Sequence, residues 1–390
     1  MYDLVVTGKI VGREKIFEAQ IGIENGIIKE IKKGGLKGEE SIKALSNSLI
    51  FPGFIDPHVH LREDASRKWN YKEDFLTGSK AAAHGGVTTV FDMPNNPLPA
   101  VTRERVKEKI ELAKKAIIDV LFYGGIQKQF FYEIERMAQS VIGYKLYLAE
   151  TTGQLLLSED SIQEAVRLIA KTNLPSSFHF EENSMIVEKV LSLTKEYKFH
   201  AHVAHLSTER ILETVKEFKR KKYPVTFEVT PHHVIFDKIN SKKISNVTMN
   251  PPVRERKQRM ALIQALKNGE VDMIGSDHAP HTLEDKEKGA KGVPNLDIYG
   301  NFISFLIDKV KLNPVYVAQI TSLNVAKLFG LKDKGEIREG MIANVAILNF
   351  NKEIVKSETH FTKCGWSPYE GMEFPGRISH TIHHGKILYF

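Results

Sequence analysis

The chain has 390 residues, 42% hydrophobic and 26% charged, with a formal net charge of +7. That is the composition of an ordinary globular protein with one large domain or two smaller ones. No apolar run reaches the roughly 18 residues of a membrane span, and the start, MYDLVVTGKIVG, lacks the basic region and apolar core of a signal peptide. The only cysteine, Cys364, excludes an internal disulfide and a multi-thiolate zinc site, which fits a reducing cytoplasmic setting. The basic residues lie in helical stretches such as Arg103–Lys115 and Lys216–Lys222. They read as solvated helix faces, with no nucleic-acid motif beside them, although a basic surface can help attract an anionic small substrate.

In chain order, residues 1–50 read as short strands and turns, with Asn25-Gly26 as a hairpin signal. Residues 343–350 and 378–390 are also strand-like, with a turn at Gly385. The two ends are therefore expected to pair in one small β-domain, formed by 1–50 and 341–390. Between them, in 51–340, short apolar runs alternate with amphipathic stretches. The runs are Leu49–Ile55, Val87–Met93, Ile117–Tyr123, Val141–Leu148, Pro175–His179, His200–His205, Val225–Val229 and Val271–Ser276. The helical stretches include Lys72–His84, Thr102–Ala116, Gln127–Gln139, Ser158–Thr172, Glu181–Tyr197, Ser207–Lys222 and Glu255–Asn268, with a further helix over 312–331. Ser158 and Ser207 are candidate N-caps. Eight β/α alternations imply an α/β protein built on a (β/α)8 TIM-like barrel, whose chemistry belongs at the C-terminal ends of the strands.

The chemistry-bearing residues fall at those ends. His58 and His60 follow the first run, and strand alternation puts both imidazoles on one face, where they can share a divalent cation. Asn95 follows the second run, His179 the fifth, His205 the sixth and His232-His233 the seventh. Asp277 and His281 follow the eighth. Lys145 lies inside the fourth, VIGYKLYL, where an ammonium is costly unless paired or neutralised. Reaction with carbon dioxide would turn it into an anionic carbamate able to hold two cations. Four histidines, Asp277 and that bridge suffice for two metal ions, with zinc the default for such a donor set. The plainer readings are a salt-bridged Lys145, an N-capping Asp277 and ordinary core or surface histidines. His202 reads as structural, His200 as exposed, and His232 and His233 as braces of their turn. His84, His360, His380, His383 and His384 read as bystanders.

PGFIDPHVHLRE, KEDF, DMPNNP, KLYLAET and SDHAPHTLEDK together resemble the amidohydrolase superfamily and, within it, the dihydroorotases, over nearly the whole chain. The resemblance implies reversible, metal-dependent hydrolysis of the cyclic amide of dihydroorotate to N-carbamoyl-aspartate, a step of pyrimidine biosynthesis. It implies His58, His60 and Asp277 on one metal, His179 and His205 on the other, and carboxylated Lys145 between them, with Asp277 also the proton carrier. Arg62, Asn95 and His281 take the positions that hold the substrate carboxylate. Asn250 takes that of a further substrate contact, and Thr151 that of a loop closing on substrate. The partners to test are a second copy of the chain, as a homodimer, and aspartate carbamoyltransferase. The segment Val293–Ile298 departs from the family pattern, with Asn295 where glycine is usual, a change accommodated if the backbone there is left-handed. Dihydropyrimidinases, hydantoinases and allantoinases share the fold and the metals and are the nearest competing reading. A catalytically inactive structural homologue is the competing reading from another class.

Overall fold

The computed structural model describes residues 1–149, 155–180, 182–244 and 246–388, with Lys243 as backbone only. Eight parallel strands form the barrel: Phe54–Val59, Val87–Asp92, Asp119–Gly125, Gly143–Tyr147, Ser176–His179, Ala201–Val203, Val225–Val229 and Met273–Ile274. Both faces of these strands are covered, so they read as continuous apolar runs rather than alternating ones. Val87–Asp92, for example, is buried at every position. The first and last strands meet through a parallel bridge between Val59 and His278, and His60 N–H donates to the His278 carbonyl at 2.8 Å. This closure brings the ends of strands one and eight together.

The termini form a separate sheet, as expected. Tyr2–Val11, Ile16–Glu24, Ile27–Lys32, Gly38–Lys43 and Ser48–Pro52 join Val345–Asn349, Arg377–His383 and Lys386–Leu388. Leu4, Val6, Ile21, Ile50, Val345 and Ile347 fill its own apolar core. Both hairpin signals hold: Asn25-Gly26 and His384-Gly385 take positive φ, the geometry that matches the strand twist. The first apolar run proves to be two strands. Ser48–Pro52 pairs antiparallel with Val345–Asn349, and the barrel begins at Phe54, after Gly53. A Cβ on Gly53 would lie 2.4 Å from Thr88 Oγ1, so the chain crosses between sheets where no side chain fits.

Helices cover the barrel's outer face. Asp74 opens Phe75–His84 with a capping box shared with Thr77. Two expected caps differ. Thr208 rather than Ser207 caps Glu209–Arg220, its hydroxyl accepting from Ile211 N–H; the same chemistry acts one residue later. Ser158 sits at the N-cap of Glu159–Ala170, but its hydroxyl pairs with Ser161 Oγ at 2.9 Å instead of a backbone N–H. The stretch expected as one helix over Gln127–Gln139 divides into a 3-10 segment, Lys128–Glu133, and one α turn, Ile134–Met137, because Phe130 leaves helical geometry.

Candidate active site

The barrel closure sets His58 Nε2 at 3.5 Å and His60 Nε2 at 3.3 Å from Asp277 Oδ1. The outer nitrogen of each ring is engaged. His58 Nδ1–H makes a short hydrogen bond to Glu228 Oε1, and His60 Nδ1–H donates to Asn95 Oδ1 at 2.8 Å. Burial holds both rings below the usual histidine range, reinforced by the Lys145 charge at His58 and by Arg62 and Lys145 at His60, so their Nε2 lone pairs face the carboxylate. Neutral imidazoles fixed from behind are the arrangement that metal-binding histidines use. His58, His60 and Asp277 could together hold a metal ion.

A second pair adjoins the first, with the His205 and His58 ring centroids 5.2 Å apart. His179 Nδ1 and His205 Nε2 lie 2.7 Å apart. Burial and the neighbouring cations depress both rings far below the usual range. Two such nitrogens can share one proton or offer two lone pairs to one cation. Their other nitrogens, His179 Nε2 and His205 Nδ1, are buried without a hydrogen-bond partner among the described residues. Lys145 is fully buried beside them, its ammonium 3.3 Å from Ser177 Oγ on the neighbouring strand. Burial pushes it down to about 8, against the pull of Glu228 and Asp277. A lysine with so depressed a pKa supplies the neutral amine that carbamate formation requires. The donor set therefore fits a pair of divalent cations.

The backbone is strained where these groups are presented. Arg62, His205 and Asp277 have φ of 62°, 35° and 47°, a left-handed region that costs non-glycine residues about 1–3 kcal/mol and that collects at functional sites. His60, Arg62, Asn95, Asn250 and Asp277, with the 289–292 segment, line a pocket of about 290 Å³. Arg62 donates from Nε to the Pro280 carbonyl at 3.2 Å, and its Nη2 lies 3.0 Å from His281 Nε2. Burial lowers the guanidinium to about 10, so it stays charged at neutral pH. Gly292, at φ 136°, adjoins His281; a Cβ there would meet the Ala279 carbonyl at 2.5 Å.

The described residues thus bring together His58, His60, Lys145, His179, His205 and Asp277, with Arg62, Asn95 and Asn250 lining the adjoining pocket and His281 against Arg62. Thr151 lies outside the described residues. Sequence reasoning missed three groups. Glu228 binds His58 and, through Oε2, His202 Nε2 at 3.1 Å; burial opposes its ionisation, but those two histidines outweigh that and hold it well below the carboxylate range. Gly275 admits it, since a Cβ there would lie 2.6 Å from Glu228 Oε2. Asp56 ties strand one to strand eight by accepting from Ser276 N–H at 2.9 Å. Lys72 lies 3.1 Å from His281 Nδ1.

Other expectations divide. His233 braces its turn, pairing with Thr230 Oγ1 and the Pro251 carbonyl. His200 is half-buried rather than exposed, because its Nε2 pairs with Thr226 Oγ1 at 3.0 Å on the next strand. Asn295 is not left-handed. It fits because its side chain is used: Nδ2 donates to the Ser276 carbonyl, and Oδ1 accepts from Tyr369. Asp119, His383 and His384 also cluster, but Lys334 lies 2.5 Å from that carboxylate and neutralises it.

Residues 49–388 match the sequence pattern described as the amidohydrolase family. The chain belongs to that family. This amidohydrolase is 34% identical to the protein named dihydroorotase from Pyrococcus horikoshii, over 99% of this chain and 92% of that one. It is 36% identical to the protein of the same name from Pyrococcus abyssi, over 99% and 95%. Among solved structures, L-hydantoinase from Arthrobacter aurescens superposes with a TM-score of 0.92 at 24% identity, covering 99% of this chain and 96% of that one; at that identity the likeness speaks for the fold alone. Membership implies a divalent cation, and this amidohydrolase has a histidine–aspartate group able to bind one. None of its described helices is long and apolar enough to cross a membrane.

Proposed function

We propose that this amidohydrolase is a dihydroorotase, opening the cyclic amide of dihydroorotate to N-carbamoyl-aspartate and closing it in reverse. The observation that carries the reading is the position of Arg62, with His281 against it, in the pocket that His60 and Asp277 also line: a cationic grip beside a hydrolytic site suits a ring amide bearing a carboxylate. The full-length similarity to proteins named dihydroorotase supports it.

In this reading His58, His60 and Asp277 would hold one cation and His179 and His205 another, zinc by default, with Lys145 as a carbamate between them. The carbamate forms when the neutral Lys145 amine attacks carbon dioxide, making an N–C bond and releasing one proton. Bound cations of this kind polarise a carbonyl and make a water acidic near neutral pH. Arg62 orients the ring through its carboxylate, with Asn95 and Asn250 lining the same pocket and His281 set against Arg62. Asp277, whose carboxyl is raised by burial, takes the proton of the attacking water and returns it to the leaving ring nitrogen. Glu228 and Asn95 fix the tautomers of His58 and His60 and aim the rings, while burial keeps both rings neutral.

The deciding experiment is turnover by purified, zinc-loaded protein. Dihydroorotate opening and carbamoyl-aspartate closure are expected, with the neutral rings dihydrouracil and hydantoin turned over far more slowly. Efficient use of the neutral rings alone would move the assignment to the hydantoinases. A metal-loaded protein inert to all of them would favour the structural homologue. We further propose that the enzyme acts in the cytoplasm as a homodimer able to associate with aspartate carbamoyltransferase. Light scattering of the pure protein, and co-elution of the two purified proteins, test those assemblies.

A further inference from the structure

His281 stands between two cations. Arg62 Nη2 lies 3.0 Å from its Nε2, and Lys72 Nζ lies 3.1 Å from its Nδ1. All three side chains are buried. A neutral imidazole has one lone pair and one N–H, whereas a guanidinium and an ammonium can only donate. Both contacts cannot be hydrogen bonds at once. Trp366 Nε1–H donates to the His281 carbonyl at 2.7 Å and anchors the backbone that carries the ring. Lys72 is held from behind by Asp285, with Oδ2 at 3.3 Å, and that carboxylate also accepts from Tyr71 at 2.8 Å. The Trp69 ring lies 5.9 Å from the Arg62 guanidinium and 5.2 Å from the Lys72 ammonium, offsetting part of their mutual repulsion.

One arrangement satisfies every group. Lys72 donates to Nδ1, Nε2 carries the hydrogen, and an anionic oxygen beside Nε2 accepts from both His281 and Arg62. We propose that Lys72 is a positioning and specificity residue: it selects the Nε2–H tautomer of His281, making His281 and Arg62 a two-donor clamp that closes on a ring carboxylate and finds no acceptor on a neutral ring. The inference rests on the dihydroorotase reading. It adds to the expected carboxylate contacts a residue that touches no substrate.

The test uses the full-length, metal-loaded chain with Lys72→Met and Lys72→Arg. Loss of one charge-assisted hydrogen bond behind the clamp is expected to raise KM for dihydroorotate about 10- to 100-fold. Turnover at saturation should change little, and inhibition by orotate should weaken by the same factor. Binding of neutral dihydrouracil should not change, and Lys72→Arg should recover part of the loss. Nitrogen-15 histidine spectra with orotate bound should show His281 as the Nε2–H tautomer in the parent protein and lose that preference in Lys72→Met. Should Lys72→Met fail to fold, Asp285→Asn releases the ammonium from behind and is expected to move KM the same way by a smaller factor. Unchanged KM and tautomer, or equal losses for anionic and neutral rings, would overturn the proposal. If the parent protein binds orotate but does not turn over dihydroorotate, the functional reading fails, while the spectra and orotate affinity still decide the role of Lys72.

Discussion

The two halves of the histidine cluster are built differently. On one side, the outer nitrogens of His58 and His60 are tied to Glu228 and Asn95, so both rings are aimed at Asp277 before anything binds. On the other side, His179 and His205 contact each other, and their outer nitrogens have no partner among the described residues. The first half is preorganised by the fold. The second depends on what binds there and on the state of Lys145. In a site of this kind, hydrogen bonds behind the ligands set affinity as much as the ligands do.

The contrast can be broken at Lys145 first. Lys145→Met removes the proposed bridge, so the second half is expected to lose its cation while the first keeps one. Metal analysis should fall from two ions per chain to one, and turnover should fall by ~10³-fold. Two bound ions in that variant would sink the bridging role.

The same lysine gives a sharper test without metal. Its folded pKa of about 8 lies below the ordinary 10.5. Between those values the unfolded chain keeps a proton that the folded chain has released, so stability rises with pH across that window. Below about 8 both states are protonated and the full penalty of the buried charge applies; above 10.5 it is gone. The gain from Lys145 should be about 3 kcal/mol. It is read as the difference between metal-free parent and Lys145→Met in urea denaturation from pH 8 to 10.5, which cancels the similarly depressed Lys286. A flat difference would mean that the amine is better solvated than its burial indicates.

On the preorganised side, Glu228→Gln keeps the shape but weakens the acceptor behind His58. Affinity for the first cation should drop about 10- to 100-fold in competition with a chelator, leaving the second less affected. Equal losses on both sides would mean that the two halves are held alike. The smallest effect serves as a control. Thr102 caps Arg103–Leu112 by accepting from Arg105 N–H, so Thr102→Ala should cost about 1 kcal/mol of stability with metal content unchanged.

Much of this was legible in the chain because the signals are local. Strand runs separated by amphipathic stretches spell a barrel, and polar residues just past apolar runs mark its active end. Lys145 was visible as a charge inside an apolar strand. Glu228 carries that same signal in VTFEV; it escaped notice because an acid in a strand is easily taken for an edge or surface residue until its neighbours are known. Lys72 opens the KEDF motif, but nothing in those four residues announces that its ammonium faces His281, more than two hundred residues later. The division of the first apolar run was hidden for a similar reason. Ser48–Pro52 and Phe54–Val59 are equally apolar, and only the partners Val345–Asn349 and Val87–Asp92 separate them.

Hydrophobic period and residue type specify which segments become strands and which side chains reach the barrel mouth, because both follow from alternation along one segment. The pairing of groups across segments does not. That Glu228 stands behind His58, that Asn295 is held by Tyr369, and that two cations face one imidazole at His281 follow from strand register and barrel closure. Those are fixed by packing between distant parts of the chain, where ångström-scale shifts decide which donor meets which acceptor.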